Sequence, residues 1–189
     1  PRIGRFRNSC MMSGPHPESP ATDMRIDTFQ FVSLIEMLDI EATTISARAR
    51  IPDDHSIFAG HFPGHAIMPG VLLTELMAQT CGFLLLSLNG FARMPFLAAL
   101  KEVKLREFVR PGCELVCLAE RVHDGSGYAV LNATVRLKEN QKRICDGTLM
   151  FRIVPFPNDD LREHMGVRAQ EVGLSIAGDG VRLLEEAAT

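Results

Sequence analysis

The chain has 189 residues, of which 46% are hydrophobic and 23% charged, and its formal net charge is −3 at pH 7. This length and composition are typical of one globular domain with a sizeable core and room for terminal tails. The near-neutral charge, the absence of Trp and the single Tyr give no support to nucleic-acid binding or to an anionic-membrane role.

The first part of the chain is predicted to lead from a disordered arm into a sheet. Residues 1–24 are rich in Pro, Ser and Arg without periodicity, so we expect a disordered or loosely docked arm. Apolar residues recur at helical spacing over residues 29–40, which predicts a short helix or helical turn. Residues 42–51 are partly alternating and rich in β-branched types, which predicts a strand. Residues 52–70 contain Pro and Gly throughout and are predicted to form an extended loop.

A long apolar helix and a set of strands are predicted next. The run from residue 71 to residue 88 is almost wholly apolar and ends before Asn89–Gly90, a good helix C-cap. The hydrophobic period then changes to two, and the links RPG, DGSG and NQK are short enough for antiparallel neighbours. We therefore predict a four-stranded antiparallel meander. Its strands are 95–109, 113–123, 127–139 and 143–154.

The order of these elements predicts an α+β domain over residues 25–155. In that domain one long buried helix packs against one strongly curved antiparallel sheet. Beyond Pro155 the hydrophobic pattern stops, so residues 156–189 are predicted to be a tail with a last helical turn in VRLLEEAAT. We assign no function to this tail.

The compartment follows from the cysteines, the apolar run and the N-terminal composition. The cysteine count is odd and no CxxC motif occurs, so we expect reduced, buried thiols. The apolar run is interrupted by polar residues, Glu75 and Gln79 among them, which favours a buried core helix over a membrane span. The N-terminal stretch lacks the apolar centre of a signal peptide. We therefore expect a cytoplasmic protein.

The stretch GHFPGHAIMPG, Gly60–Gly70, forms a rigid loop in front of the long helix. The first N–H groups of that helix, around Gly70 and Val71, have no intrahelical partner and carry the positive end of the helix dipole. Gly70 has no side chain to block close approach, so a carbonyl oxygen that gains negative charge would find a donor there. The alternative is an ordinary Pro-Gly start of a helix.

Glu75 is the one charged residue of the apolar helix. It shares a helix face with Val71 and Gln79, each four residues away. A carboxylate among apolar side chains is costly unless it is paired, protonated or solvated. Burial would favour its protonated form, which suits a general acid. The alternative is that Glu75 faces solvent near the helix start, where the dipole favours acidic residues.

The loop histidines raise the question of a metal site. His61 and His65 have the spacing of two ligands on one helix face, and His55 is close in sequence. Pro63 and Gly64 interrupt any helix between them, and no downstream Cys or His cluster follows. We therefore predict no metal, and we expect His65 to be structural.

His61 stands out because a rigid loop, a helix N-terminus and a carboxylate lie near it in sequence. Neither a GxSxG nucleophile motif nor a GxGxxG nucleotide motif occurs in the chain. A base, an acid and a polarised carbonyl suffice for proton abstraction beside that carbonyl, with loss or gain of water.

The stretch GHFPGHAIMPGVLLTELMAQ, residues 60–79, closely resembles the signature of bacterial 3-hydroxyacyl-(acyl-carrier-protein) dehydratases. A weaker resemblance extends from residue 29 to residue 154. It implies a hot-dog fold, in which an antiparallel sheet wraps around one long central helix. It also implies the site residues. The catalytic residues would be His61 and Glu75, and the thioester carbonyl would bind the N–H of Gly70, with or without Val71, while Gln79 orients Glu75.

The same resemblance implies a substrate and an assembly. The substrate would be a 3-hydroxyacyl chain on the phosphopantetheine of acyl carrier protein, with no cofactor of the enzyme's own, in fatty acid or lipid biosynthesis. The sites would lie at a homodimer interface, with His and Glu from different subunits, and the dimers would stay single or form a trimer of dimers. Two alternatives stay open: a hot-dog acyl-thioester hydrolase, which generally lacks this His–Glu pair, and a non-catalytic acyl-binding module.

Two features depart from the family pattern. Members typically carry a Leu-Pro-His-Arg-Tyr-Pro segment near the start, where this chain reads MRIDTFQFVSLIEML. Ala66 stands where proline is common. These departures suggest a specialised paralogue that serves an unusual acyl length or a dedicated carrier protein.

Overall fold

The computed structural model describes residues 23–178 and 180–184. Within these residues a 3-10 turn at Ile26–Thr28 comes before the strands and helices. Those elements, in chain order, are β1 (Leu34–Asp39), β2 (Thr44–Arg50), α1 (Ser56–Gly60), α2 (Gly70–Leu88), β3 (Arg93–Leu105), β4 (Glu114–Gly125), β5 (Tyr128–Leu137), β6 (Arg143–Pro155), α3 (Asp159–Glu171), β7 (Leu174–Ala177) and β8 (Gly180–Leu183).

The larger sheet of the described residues is antiparallel throughout, in the order β1-β2-β4-β5-β6-β3, and it wraps around α2. Side chains of α2 such as Leu76, Met77 and Leu84 are fully buried against it. By length and composition α2 could cross a membrane, but most of it is buried inside the protein, as a core helix is. The structure confirms the predicted α+β hot-dog fold, with an antiparallel sheet around one long central buried helix, and the helix end at Asn89.

The helix or helical turn predicted over residues 29–40 is wrong for most of that segment. Its second half is β1, which pairs with β2 from Leu34 opposite Arg48 to Asp39 opposite Thr44. A bulge after Ile35 interrupts the two-residue alternation, so the apolar spacing resembles that of a helix. Pairing with β2 decides the conformation. The loop predicted over residues 52–70 also contains one short helix, α1.

The four strands predicted after α2 exist, but β3 is not the neighbour of β4. β3 pairs with β6 at one edge of the sheet, while β4 pairs with β2. Residues 106–113 connect them across the end of the sheet. Along this connection the Arg106 N–H donates to the Ile144 carbonyl and the Gly112 N–H to the Ile51 carbonyl. The prediction of a simple meander is therefore wrong, and only β4, β5 and β6 form one.

The segment predicted to be a tail with a final helical turn is folded where the structure describes it. The Asn158 side chain caps α3 by accepting the Leu161 N–H at 2.8 Å. Val172 and Leu174 are buried in the core, and the Ile35 N–H donates to the Val172 carbonyl. The predicted helical turn is instead the strand β8 up to residue 183, and residues 185–189 lie outside the described residues.

The predicted N-terminal arm lies almost wholly outside the described residues. At its end Met24 is buried in the core, and Asp23 forms an ion pair with Arg50.

The cysteines of the described residues are buried thiols that form no disulfide, as predicted, and Cys10 lies outside these residues. Burial raises the pKa of both the Cys117 and the Cys145 thiol to about 12, so neither forms a reactive thiolate at neutral pH.

Candidate active site

His61 lies at the end of α1, where a short helix changes into a tight turn. It is the C-cap residue of α1, and its N–H donates to the Ile57 carbonyl at 2.9 Å. The imidazole ring contacts the ring of Phe62, with 4.4 Å between centroids. The side chain is half-buried, so a substrate can reach it.

The turn after His61 explains the Phe-Pro-Gly-His sequence. The His65 N–H donates to the Phe62 carbonyl at 2.8 Å, and between them lie Pro63 and Gly64, the latter with φ of 79°. Proline at the second position of a four-residue turn and a glycine with positive φ at the third are typical of a type II turn. Phe62 has φ of 60°, which is unfavourable for a bulky residue and tends to occur at functional sites. His65 is exposed.

The N-terminus of α2 offers free backbone donors at a crowded position. Pro69 caps the helix without a side-chain hydrogen bond. In the part of the chain that the structure describes, the N–H groups of Gly70 and Val71 donate to no protein acceptor. A Cβ atom on Gly70 would come within 2.3 Å of Leu105 Cδ1. The end of β3 thus lies against the helix start, and a larger residue at this position would require the Leu105 side chain to move.

Glu75 is half-buried and its carboxylate is held by Gln79. Gln79 Nε2 donates to Glu75 Oε1 at 2.9 Å and to the Phe29 carbonyl at 2.7 Å. Gln79 Oε1 accepts the Phe31 N–H at 2.9 Å. Three hydrogen bonds thus fix the Gln79 amide, and the amide fixes one oxygen of Glu75.

The candidate residues fall into two groups within one chain. Gly70, Val71, Glu75 and Gln79 lie on one helix, whereas His61 lies at the end of α1. Among the described residues no hydrogen bond or ion pair joins His61 to Glu75. The same residues contain no group of three His, Cys, Asp or Glu side chains placed to hold a metal ion.

Sequence reasoning missed the residues that support this site from outside the motif. Phe29 and Phe31 hold Gln79 through backbone atoms, and no residue type signals such a contact. His55 is a further such residue: its sequence position suggests only a metal ligand, whereas in the structure its ring caps α1.

Comparison with known proteins identifies the family to which the chain belongs. The ApeI-like dehydratase family (ApeI dehydratase) matches residues 38–147, more than half of the chain. The chain belongs to the ApeI-like dehydratase family. The family match contains every candidate site residue, but it leaves out residues 23–37 and the elements α3, β7 and β8.

Curated relatives carry a related name. The chain is 33% identical over 117 residues to the 3-hydroxyacyl-(acyl-carrier-protein) dehydratase FabZ of Oenococcus oeni, covering 60% of this chain and 81% of the relative. It is 36% identical over 118 residues to FabZ of Streptococcus pneumoniae (strain Hungary19A-6), covering 62% and 83%.

Solved structures support the hot-dog fold of this dehydratase-family chain. A hypothetical thioesterase with coenzyme A from Streptococcus pneumoniae TIGR4 has a TM-score of 0.52 at 15% identity, over 64% of this chain and 84% of that one. AziG of S. sahachiroi has a TM-score of 0.54 at 11% identity, over 69% and 96%. At these identities the likeness concerns the fold alone.

Proposed function

We propose that this protein dehydrates 3-hydroxyacyl groups on acyl carrier protein to trans-2-enoyl groups, in fatty acid or lipid biosynthesis. The observation that carries the proposal is the Gln79–Glu75 pair on a helix whose free N-terminal donors directly follow the His61 turn. Membership of a dehydratase family and the names of the curated relatives support it.

In the proposed mechanism His61 is the base and Glu75 the acid. An imidazole nitrogen of His61 takes the proton from C2, and the C–H electrons form the C2–C3 double bond. The Gly70 N–H stabilises the charge that develops on the thioester oxygen. Glu75 gives its proton to the C3 hydroxyl as the C–O bond breaks, so water leaves. A proton then returns from His61 to Glu75 through solvent.

The proposed assembly is a homodimer with the site at the interface, His61 and Glu75 coming from different subunits. Two observations support it. No hydrogen bond or ion pair between described residues joins His61 to Glu75 within one chain. In the described residues β3 is a 13-residue edge strand with exposed apolar side chains at Phe96, Leu97 and Leu100. An edge of this kind favours pairing with a second chain. Native mass spectrometry tests the dimer and a trimer of dimers.

The proposed partner is acyl carrier protein, whose phosphopantetheine carries the substrate. We propose no cofactor beyond that arm, because the residue roles above need only proton transfer and backbone donors. We propose a cytoplasmic location, where soluble acyl carriers are expected.

The decisive experiment uses purified protein and a panel of 3-hydroxyacyl carrier proteins of different acyl lengths, read out by mass spectrometry. His61→Ala and Glu75→Gln should each lower kcat by about 10²- to 10⁴-fold while the melting temperature is kept. His65→Ala, in the same loop, is the matched control and should keep its activity. A parental rate for either catalytic variant would refute the residue roles.

Acyl-thioester hydrolysis is the second candidate, because the same free helix N-terminus and the Glu75 carboxylate would also suit attack of water on the thioester carbonyl. In the same assay, release of the thiol of the carrier protein without enoyl product would favour hydrolysis. Binding of the acylated carrier with no conversion in either direction would favour a non-catalytic acyl-binding module.

A further inference from the structure

His55 makes one hydrogen bond with each nitrogen of its ring. Nδ1 accepts the Ile57 N–H at 3.2 Å, so His55 is the side-chain N-cap of α1. Nε2 lies 3.1 Å from Asp27 Oδ1. Because Nδ1 is an acceptor it carries no proton, and Nε2 is therefore the donor to the Asp27 carboxylate. The His55 side chain is 16% exposed, whereas Asp27 is largely in solvent.

Ile57 connects His55 to His61. Its N–H donates to the His55 ring, and its carbonyl accepts the His61 N–H at 2.9 Å. The Phe58 N–H donates to the His55 carbonyl at 3.0 Å, which closes the same turn. A helix of five residues is too short to persist by its own hydrogen bonds, so its contacts with the rest of the protein, the cap at His55 among them, decide whether it forms. The position of His61 thus depends on the cap at His55.

The turn that carries Asp27 is itself anchored on both sides. The Arg25 side chain donates to Glu171 of α3 at 3.0 Å, and its backbone forms a bridge with Gln30. Phe29, in the same segment, accepts from Gln79. The segment from residue 25 to residue 31 therefore contacts the supports of both His61 and Glu75. It lies outside the family match, where the sequence departs from the usual pattern.

We propose that His55, held by Asp27, is a positioning residue: it fixes α1 and thereby holds His61 at its working position. The assignment of His61 as the base rests on the proposed function. The hydrogen-bonded path from Asp27 through His55 and Ile57 to His61 does not, since it is a property of the fold.

The kinetic test compares three variants of the full chain on 3-hydroxyacyl carrier protein. His55→Ala removes both hydrogen bonds and should lower kcat about 10- to 100-fold, with KM changed less than about threefold, because a small displacement of a catalytic group is costly. His55→Asn keeps an N-cap acceptor and should restore kcat to within about threefold of the parent. Asp54→Ala is the matched control, because it changes the exposed residue directly before His55. This variant should keep the parental rates.

An activity-independent test follows amide hydrogen exchange by mass spectrometry. In His55→Ala the amides of residues 57–61 should exchange at least about tenfold faster than in the parent, because the cap that holds them is lost. Amides of α2 should keep their protection, and the melting temperature should stay close to that of the parent. His55→Asn should again resemble the parent.

The outcomes separate this proposal from the proposed function. Parental kcat in His55→Ala, or a loss of kcat without faster exchange in residues 57–61, overturns the positioning role while the dehydratase stands. An equal loss in His55→Asn and His55→Ala also overturns it. If the parent converts no 3-hydroxyacyl carrier protein, the proposed function fails. The exchange experiment then decides alone whether His55 holds α1 and His61 in place.

Discussion

Replacement of Gly70 by proline removes the backbone donor proposed to bind the thioester oxygen. Gly70 is the first residue of α2, a position at which proline is well accepted because its N–H would have no intrahelical partner. Pro69 already has an extended conformation, with ψ of 129°, which suits a residue that precedes proline. The helix should therefore persist without this one donor.

The steric cost of the change can be separated from the chemical one. Any Cβ at Gly70 meets Leu105 Cδ1 at 2.3 Å, but this is the end of a side chain that is 55% exposed and able to rotate. Moving Leu105 costs about 0.5–1.5 kcal/mol, and replacing glycine in a helix by alanine returns up to about 1 kcal/mol. Gly70→Ala should therefore change the free energy of unfolding by at most about 1.5 kcal/mol.

The assay measures kcat for Gly70→Ala and Gly70→Pro, each with and without Leu105→Ala to relieve the contact. Loss of one oxyanion donor costs about 10²- to 10³-fold in kcat, or about 2.7–4 kcal/mol. Gly70→Pro should fall this far below Gly70→Ala in both backgrounds, at similar melting temperatures. If the two variants lie within about threefold of each other, the Gly70 N–H is not the donor and the reasoning is refuted.

Further predictions concern the amide, the edge strand and the thiols. Gln79→Ala leaves the buried Phe31 N–H without its acceptor and should lower the free energy of unfolding by about 1–3 kcal/mol in urea titrations, together with kcat. Leu100→Lys places a charge on the exposed edge of β3 and should give an inactive monomer in native mass spectrometry. Iodoacetamide at pH 8 should leave Cys117 and Cys145 unmodified in the folded protein and modify both after denaturation.

Each of these predictions has a contrary result. Unchanged stability of Gln79→Ala would mean that water replaces the amide at Phe31. An active dimer of Leu100→Lys would place the interface away from β3. Rapid modification of Cys117 in the folded protein would contradict its burial.

The local hydrophobic pattern was sufficient for α2 and for β4, β5 and β6. Their apolar residues repeat with the period of the element itself, and each element has a clear end such as Asn89. The resemblance of residues 60–79 to a dehydratase signature and the family match agree, because such a signature consists of neighbours in sequence. The turn between Phe62 and His65 also follows from residue types, since proline and glycine restrict the backbone directly.

The local sequence pattern could not predict which distant segments pair with each other. β1 has helix-like apolar spacing, and only its register with β2 and the bulge after Ile35 make it a strand. The edge position of β3 depends on residues 106–113 crossing the end of the sheet. The polar segment after Pro155 forms α3, β7 and β8 because a few apolar residues, Val172 among them, are buried against the core.

In the candidate site, too, some features follow from the local sequence and others depend on contacts between distant segments. The sequence by itself indicated the residues that we propose for acid–base chemistry, His61 and Glu75, since that proposal depends on residue type and on a compact motif. Only the tertiary structure decided what holds them. Glu75 is held by Gln79, which is itself bound to the backbone of residues 29 and 31. His61 is held through His55 and Asp27, which lie 28 residues apart in sequence. The reason is physical, because backbone groups and a solvent-exposed carboxylate become supports only when folding places them within hydrogen-bonding distance.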